Sequence, residues 1–298
     1  MSGYKRVLAA TDGTEHGKRA VVTGAALAGR IEAEFHIVTV AETTMLPPVA
    51  PVPGWAANWL DLLDEQARNN AEVQAREAGA ADAPIHAHRG LAAPLIMNTA
   101  RELQADILVL GAHRQPAVAR SLLGSTAEKV ARMAECPVLV ATEPRSRPFA
   151  RILVAVDVSP HSRQVLENAA RIAVADDAKV RALHVHEMFE EAIMHVAMMS
   201  LGDAEHRAAE IEESVRRQLE RYVEDVKDRH GIVAEERVRM GAAGPQIIEE
   251  AEEWDADLLI MGTHGHGFFH RLVIGSRSLH VLRHLERTTM LVPRLDAE

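Results

Sequence analysis

Glycines at 262, 265 and 275, the last followed directly by Ser276, come after the apolar run DLLIM at 257–261 and before a stretch of helical character. Those residue types at that spacing suit a polyphosphate. With no Cβ in the way, backbone N–H groups near 262 and 265 can approach anionic oxygens closely. Gly275 and Ser276 then present a helix N-terminus, whose open N–H groups and partial positive charge favour anions, and the Ser276 hydroxyl adds a donor. Asp157 and Val185 stand at the ends of two earlier apolar runs. In an open parallel sheet a ligand lies at the carboxyl ends of the strands, where strand order reverses, so both belong to the same crevice.

The elements that must position these residues occur twice. KRVLAATDG (Lys5 to Gly13) and ARILVAVDV (Ala150 to Val158) are both short apolar runs that reach an aspartate, Asp12 and Asp157. Each reads as a buried first strand. Val40 and Val185 keep the separation of the two aspartates, which puts the second strands in register. Gly90 and Gly241, Pro94 and Pro245, Gly111 and Gly262, His113 and His264, Gly124 and Gly275, and Ser125 and Ser276 all keep a separation six residues longer. The extra residues therefore fall in the helical stretch between 191 and 231, where they leave the sheet unaltered. An internal repeat of this size is the signature of a duplicated domain.

TEPRSRPFA at 142–150 interrupts any regular element, which predicts one domain over 1–146 and another over 147–298. Each half reads as strands alternating with helices, hence right-handed crossovers and a parallel sheet covered on both faces. Two stretches are less regular: a proline-rich segment at 46–59 with two tryptophans, and a methionine-rich counterpart at 187–201. They read as a loop and helix packed on the sheet, with a mobile cover over the ligand, or a partner surface, as the sharper alternative. Asp12 and Asp157 can contact a ligand or cap the following helices, and the two uses are compatible.

The first half departs from the second at one position. It reads GAHRQPAVARSLLGS from Gly111 to Ser125, so Arg114 stands where the second half has Gly265. Arg114 either crowds the phosphate path or holds phosphate through its guanidinium; the expectation is a weakened first site. Its other members, Asp12, Val40, Gly111, Gly124 and Ser125, are in place.

The spacing G-x2-G-x9-G-S, carried by Gly262, Gly265, Gly275 and Ser276, resembles the ATP-binding signature of the universal stress protein family. Asp157, the run Ala182 to Val185 and the run Cys136 to Val140 resemble that family's first-strand aspartate, second strand and last strand. The resemblance covers nearly the whole chain, once per half. It implies two Rossmann-like α/β domains, each a five-stranded parallel sheet of order 3-2-1-4-5, associating through the last strand. It also implies Asp157 near ribose and adenine, the Val185 backbone at the adenine edge, and ATP phosphates with Mg²⁺ held by the glycines and Ser276.

Composition narrows the remaining classes. The net charge of -10 argues against nonspecific nucleic-acid binding, and the single cysteine, Cys136, excludes an intrachain disulfide framework. No apolar stretch reaches the roughly 18 residues of a membrane span, and the N-terminal apolar core is too short for a secretory signal, so a cytoplasmic location is expected. His264, His266 and His270 lack the spacing of a zinc motif, so no dedicated metal site is expected. There is no G-x4-G-K-[ST] loop and no G-x-S-x-G elbow at a strand end. The expected activity is nucleotide-dependent regulation in the stress response, without a dedicated catalytic centre. The expected assembly is a homodimer of chains that are each an internal pseudo-dimer, acting on an unknown protein partner. The alternatives are a slow ATPase and a nucleotide-independent adaptor.

Overall fold

A computed structural model describes residues 3–42, 54–112, 124–187, 201–263, 275–284 and 286–294. They divide into two compact units. One holds everything described up to Pro148 together with the C-terminal strand from Thr288, and the other runs from Phe149 to Arg287.

The first unit contains β1 (Arg6–Thr11), α1 (Glu15–Arg30), β2 (Glu34–Ala41), α2 (Gly54–Glu77), β3 (Ile85–Arg89), α3 (Ala92–Glu102), β4 (Ile107–Gly111), α4 (Ser125–Met133) and β5 (Val138–Ala141). Its strands are parallel and lie in the order β3-β2-β1-β4-β5. The second unit contains β6 (Arg151–Val156), α5 (His161–Asp176), β7 (Lys179–His186), α6 (Leu201–His230), β8 (Ala234–Met240), α7 (Ala243–Glu253), β9 (Leu258–Gly262) and α8 (Ser276–His284). Its strands are also parallel, in the order β8-β7-β6-β9. The remaining strand, β10 (Thr288–Val292), ends the second repeat in sequence but runs antiparallel against β5 and belongs to the first unit.

The central strands owe their position to hydrophobicity on both faces. Val7 to Ala9, Ile107 to Val109, Ile152 to Val154 and Leu258 to Ile260 are all inaccessible to solvent, as strands covered on both sides must be. One polar device recurs at the opposite end of each sheet from the candidate site. Asp106, just before β4, accepts the N–H groups of Lys5 and Arg6 at 2.6 and 2.9 Å. Asp257, just before β9, does the same for Ala150 and Arg151 at 2.9 and 3.1 Å. A carboxylate satisfying two otherwise unpaired strand-end donors aligns the first and fourth strands of each unit. The inserted length of the second repeat falls before β8 and lengthens helix rather than sheet, with α6 running 30 residues against 24 in α2.

Candidate functional site

Each unit has a cavity at the carboxyl ends of its strands. In the first it measures about 780 Å³ and brings together Asp12, Val40, Gly111, Gly124 and Ser125, five of the six residues proposed for that half. In the second it measures about 490 Å³ and is lined by Asp157, Val185 and Gly262. Both volumes fall in the range of roughly 300–1,000 Å³ typical of small-molecule sites. Arg114, Gly265, His113, His264, His266 and His270 lie outside the described residues, as do most of the proline-rich and methionine-rich segments.

The loop after the first strand is built around the aspartate in both units. Asp12 Oδ1 accepts the Thr14 N–H at 3.0 Å and its hydroxyl at 2.6 Å. Thr14, not Asp12, is the N-cap of α1, its Oγ1 accepting from His16 and Gly17. Gln74 of α2, nearly inaccessible, braces the same loop, accepting the Thr11 hydroxyl at 2.6 Å and donating to the Thr14 carbonyl at 2.9 Å. In the second unit Asp157 Oδ1 accepts from the Ser159 N–H, the Ser159 hydroxyl and the Ser162 hydroxyl at 3.1, 2.6 and 3.0 Å. Each carboxylate is thus oriented before any ligand arrives.

Both turns take a left-handed backbone, but with different residues. Gly13 sits at φ 78° with the Asn70 side chain against it, and a Cβ there would fall 2.8 Å from Asn70 Nδ2. Its counterpart Val158 adopts φ 51°, a left-handed conformation that a β-branched residue rarely takes. Gly111 is required by packing: a Cβ on it would lie 1.8 Å from the His16 carbonyl oxygen, so the start of α1 rests directly on the end of β4.

Helix starts face both cavities. In α4 the first intrahelical bond runs from Glu128 N–H to Gly124 O, and Gly124 offers no side-chain cap. The N–H groups of Ser125, Thr126 and Ala127 therefore have no partner within the helix, and all three residues line the cavity. In α8 the corresponding bond joins Leu279 N–H to Gly275 O, while the Gly275 N–H donates to Thr263 O at 2.8 Å and the Ser278 hydroxyl to Gly262 O at 2.9 Å. These two bonds hold the start of α8 against the end of β9. Among the described residues it is Arg277 and Ser278, not Gly275 and Ser276, that line the second cavity.

Two lining residues, His16 and His161, were not singled out from the sequence. They occupy equivalent positions, four residues after Asp12 and Asp157, a coincidence the repeat register could have revealed. His184 also lines the second cavity, and its Nδ1 lies 2.9 Å from the Val156 carbonyl. A carbonyl can only accept, so Nδ1 carries the proton. No group of three or more metal-ligating side chains occurs among the described residues, and none of the described helices is long and apolar enough to cross a membrane.

The family model described as "Universal stress protein family" matches the chain twice, over residues 3–142 and 148–293. The chain belongs to the universal stress protein family. Among curated family members, a universal stress protein of Mycobacterium tuberculosis is 27% identical over 272 residues, covering 83% of each chain. Universal stress protein A homolog 1 of Coxiella burnetii is 31% identical over 136 residues, 45% of this chain and 89% of its own. A solved universal stress protein from Archaeoglobus fulgidus superposes with a TM-score of 0.70 at 20% identity, covering 98% of this chain and 97% of that one, which shows the shared fold. The family, the tandem arrangement and the α/β class expected from the repeat are therefore borne out.

Proposed function

We propose that this universal stress protein is a nucleotide-dependent regulator in the stress response that binds ATP with Mg²⁺ in its second unit and has no dedicated catalytic centre. The observation that carries the reading is the convergence, on one cavity, of Asp157, the Val185 strand end, Gly262 and the first turn of α8 at Arg277 and Ser278. The carboxylate and the edge of β7 would hold ribose and adenine, while Gly262, Gly265, Gly275 and Ser276 would carry the phosphates on backbone N–H groups. Mg²⁺ would screen the phosphate charge. Activity through binding suits a cytoplasmic protein whose conformation or partner choice follows site occupancy. The proposed assembly is a homodimer, each chain pairing its two last strands, β5 and β10, internally.

A second reading has its own support. The first cavity is the larger of the two, and the first three residues of α4, whose N–H groups have no partner within the helix, line it, which supports nucleotide in the first unit as well. Isothermal titration of the full chain with ATP and Mg²⁺ separates the two. A stoichiometry of one per chain supports a single working site, and two supports both. Absence of binding, with no nucleotide carried through purification, sinks the nucleotide reading in favour of an adaptor. Gly265→Arg, which copies Arg114 into the second half, should abolish one site if that loop carries the phosphates.

A further inference from the structure

Among the described residues, the second cavity carries a charged pair that the first does not. Glu187, directly after β7, accepts the N–H of Ala243 at the start of α7 through Oε1 at 2.9 Å, and pairs through Oε2 with the Arg277 guanidinium in the first turn of α8. Both residues line the second cavity. At the equivalent positions the first cavity is lined by Glu42 and Thr126, and Glu42 makes no ion pair among the described residues. Among the described residues, the second cavity therefore holds a guanidinium, engaged by the protein's own carboxylate, at a position where the first has Thr126.

A guanidinium is a planar fork of donors that matches a phosphate as well as it matches a carboxylate. We propose that Arg277 is a phosphate-reading residue of the second site and that Glu187 occupies its fork until a ligand phosphate displaces it. The proposal rests on the nucleotide reading of that cavity and assigns how the site discriminates among nucleotides. The ion pair is partly exposed, at 25% and 46% for the two side chains, so water and salt screen it and exchange for another anion costs little. A ligand rich in phosphate gains Arg277 in return for releasing Glu187. A nucleoside without phosphate gains nothing by the exchange. The second site should thus prefer polyphosphates over the bare nucleoside.

The test is titration of the full chain with Mg²⁺ and ATP, and separately with adenosine, in the wild type, Glu187→Gln and Arg277→Gln. The amide introduced by Glu187→Gln keeps a carbonyl oxygen for the Ala243 N–H, and thermal melting checks that both variants fold. E187Q should raise ATP affinity at one class of site roughly tenfold and R277Q should lower it by a similar factor, with adenosine unaffected by either. An unchanged or weakened ATP affinity in E187Q overturns the proposal, as do equal shifts for ATP and adenosine. ATP binding that neither variant alters defeats this proposal alone. Failure of both wild type and E187Q to bind ATP defeats the nucleotide reading and this inference with it.

Discussion

Val158 carries the sharpest residue-scale contrast between the repeats. Its counterpart Gly13 takes a left-handed backbone at no steric cost, whereas Val158 takes φ 51° with a branched side chain while lining the second cavity. A left-handed non-glycine residue costs roughly 1–2 kcal/mol, and the greater freedom of glycine in the unfolded chain returns roughly half of that. Val158→Gly should therefore raise stability by about 1 kcal/mol, read as a higher urea midpoint at unchanged slope. A lower midpoint would show that Val158 packing outweighs the backbone strain. Strain of this kind concentrates at ligand sites because the surrounding loop, here Asp157 bonded to Ser159 and Ser162, over-determines the backbone.

At the scale of elements, α7 is fastened to β7 and β8 through one carboxylate. Glu250, with 1% of its surface exposed, accepts from Arg181 at 2.7 Å and pairs with Arg239, while Arg181 also stacks 4.4 Å over the Trp254 ring. Burial alone would raise the Glu250 pKa, but the hydrogen bonds from Arg181 and Arg239 outweigh it and hold the carboxyl below its usual range. A depressed folded-state value means that this contribution is fully present above the unfolded carboxylate pKa and is lost as pH falls through the folded one. Glu250→Gln should cost about 2 kcal/mol at neutral pH, because it removes the buried charge that Arg181 and Arg239 share and leaves them only the exposed carboxylates of Glu235, Glu249 and Glu253. Chemical denaturation at a series of pH values should show the gap between variant and wild type closing below the ordinary carboxylate range. A gap constant with pH would assign the loss to packing instead.

At the scale of the whole molecule, the last strand of the chain covers the edge of β5. β10 follows the second repeat in sequence, yet Thr289, Met290 and Leu291 pair antiparallel with Val140, Leu139 and Val138 of β5. Met290 and Leu291 are fully buried there. Removing residues 288–298 would uncover the β5 edge, and an apolar strand edge is a template for pairing between chains. The truncated chain should lose stability in its first unit and self-associate, seen as larger species in size-exclusion chromatography. A monodisperse product with an unchanged first transition would mean that β10 is dispensable to that unit.

Much of this was legible in the residues alone. The repeat register, the buried first strands ending at Asp12 and Asp157, and the glycine placements at 111 and 262 depend on local periodicity and on steric rules that act along the chain. The family follows from those same features. That β5 and β10 pair agrees with the association through last strands that the resemblance implies; the antiparallel direction was not legible, because it depends on which edge comes within reach, not on the apolar pattern of the strand. Nor was the difference between the two cavities. Arg277 stands one place beyond the motif, and Glu187 is the first residue of the irregular segment at 187–201. Their meeting required β7, α7 and α8 to end at one point, and charge pairs between elements distant in sequence are decided by that convergence.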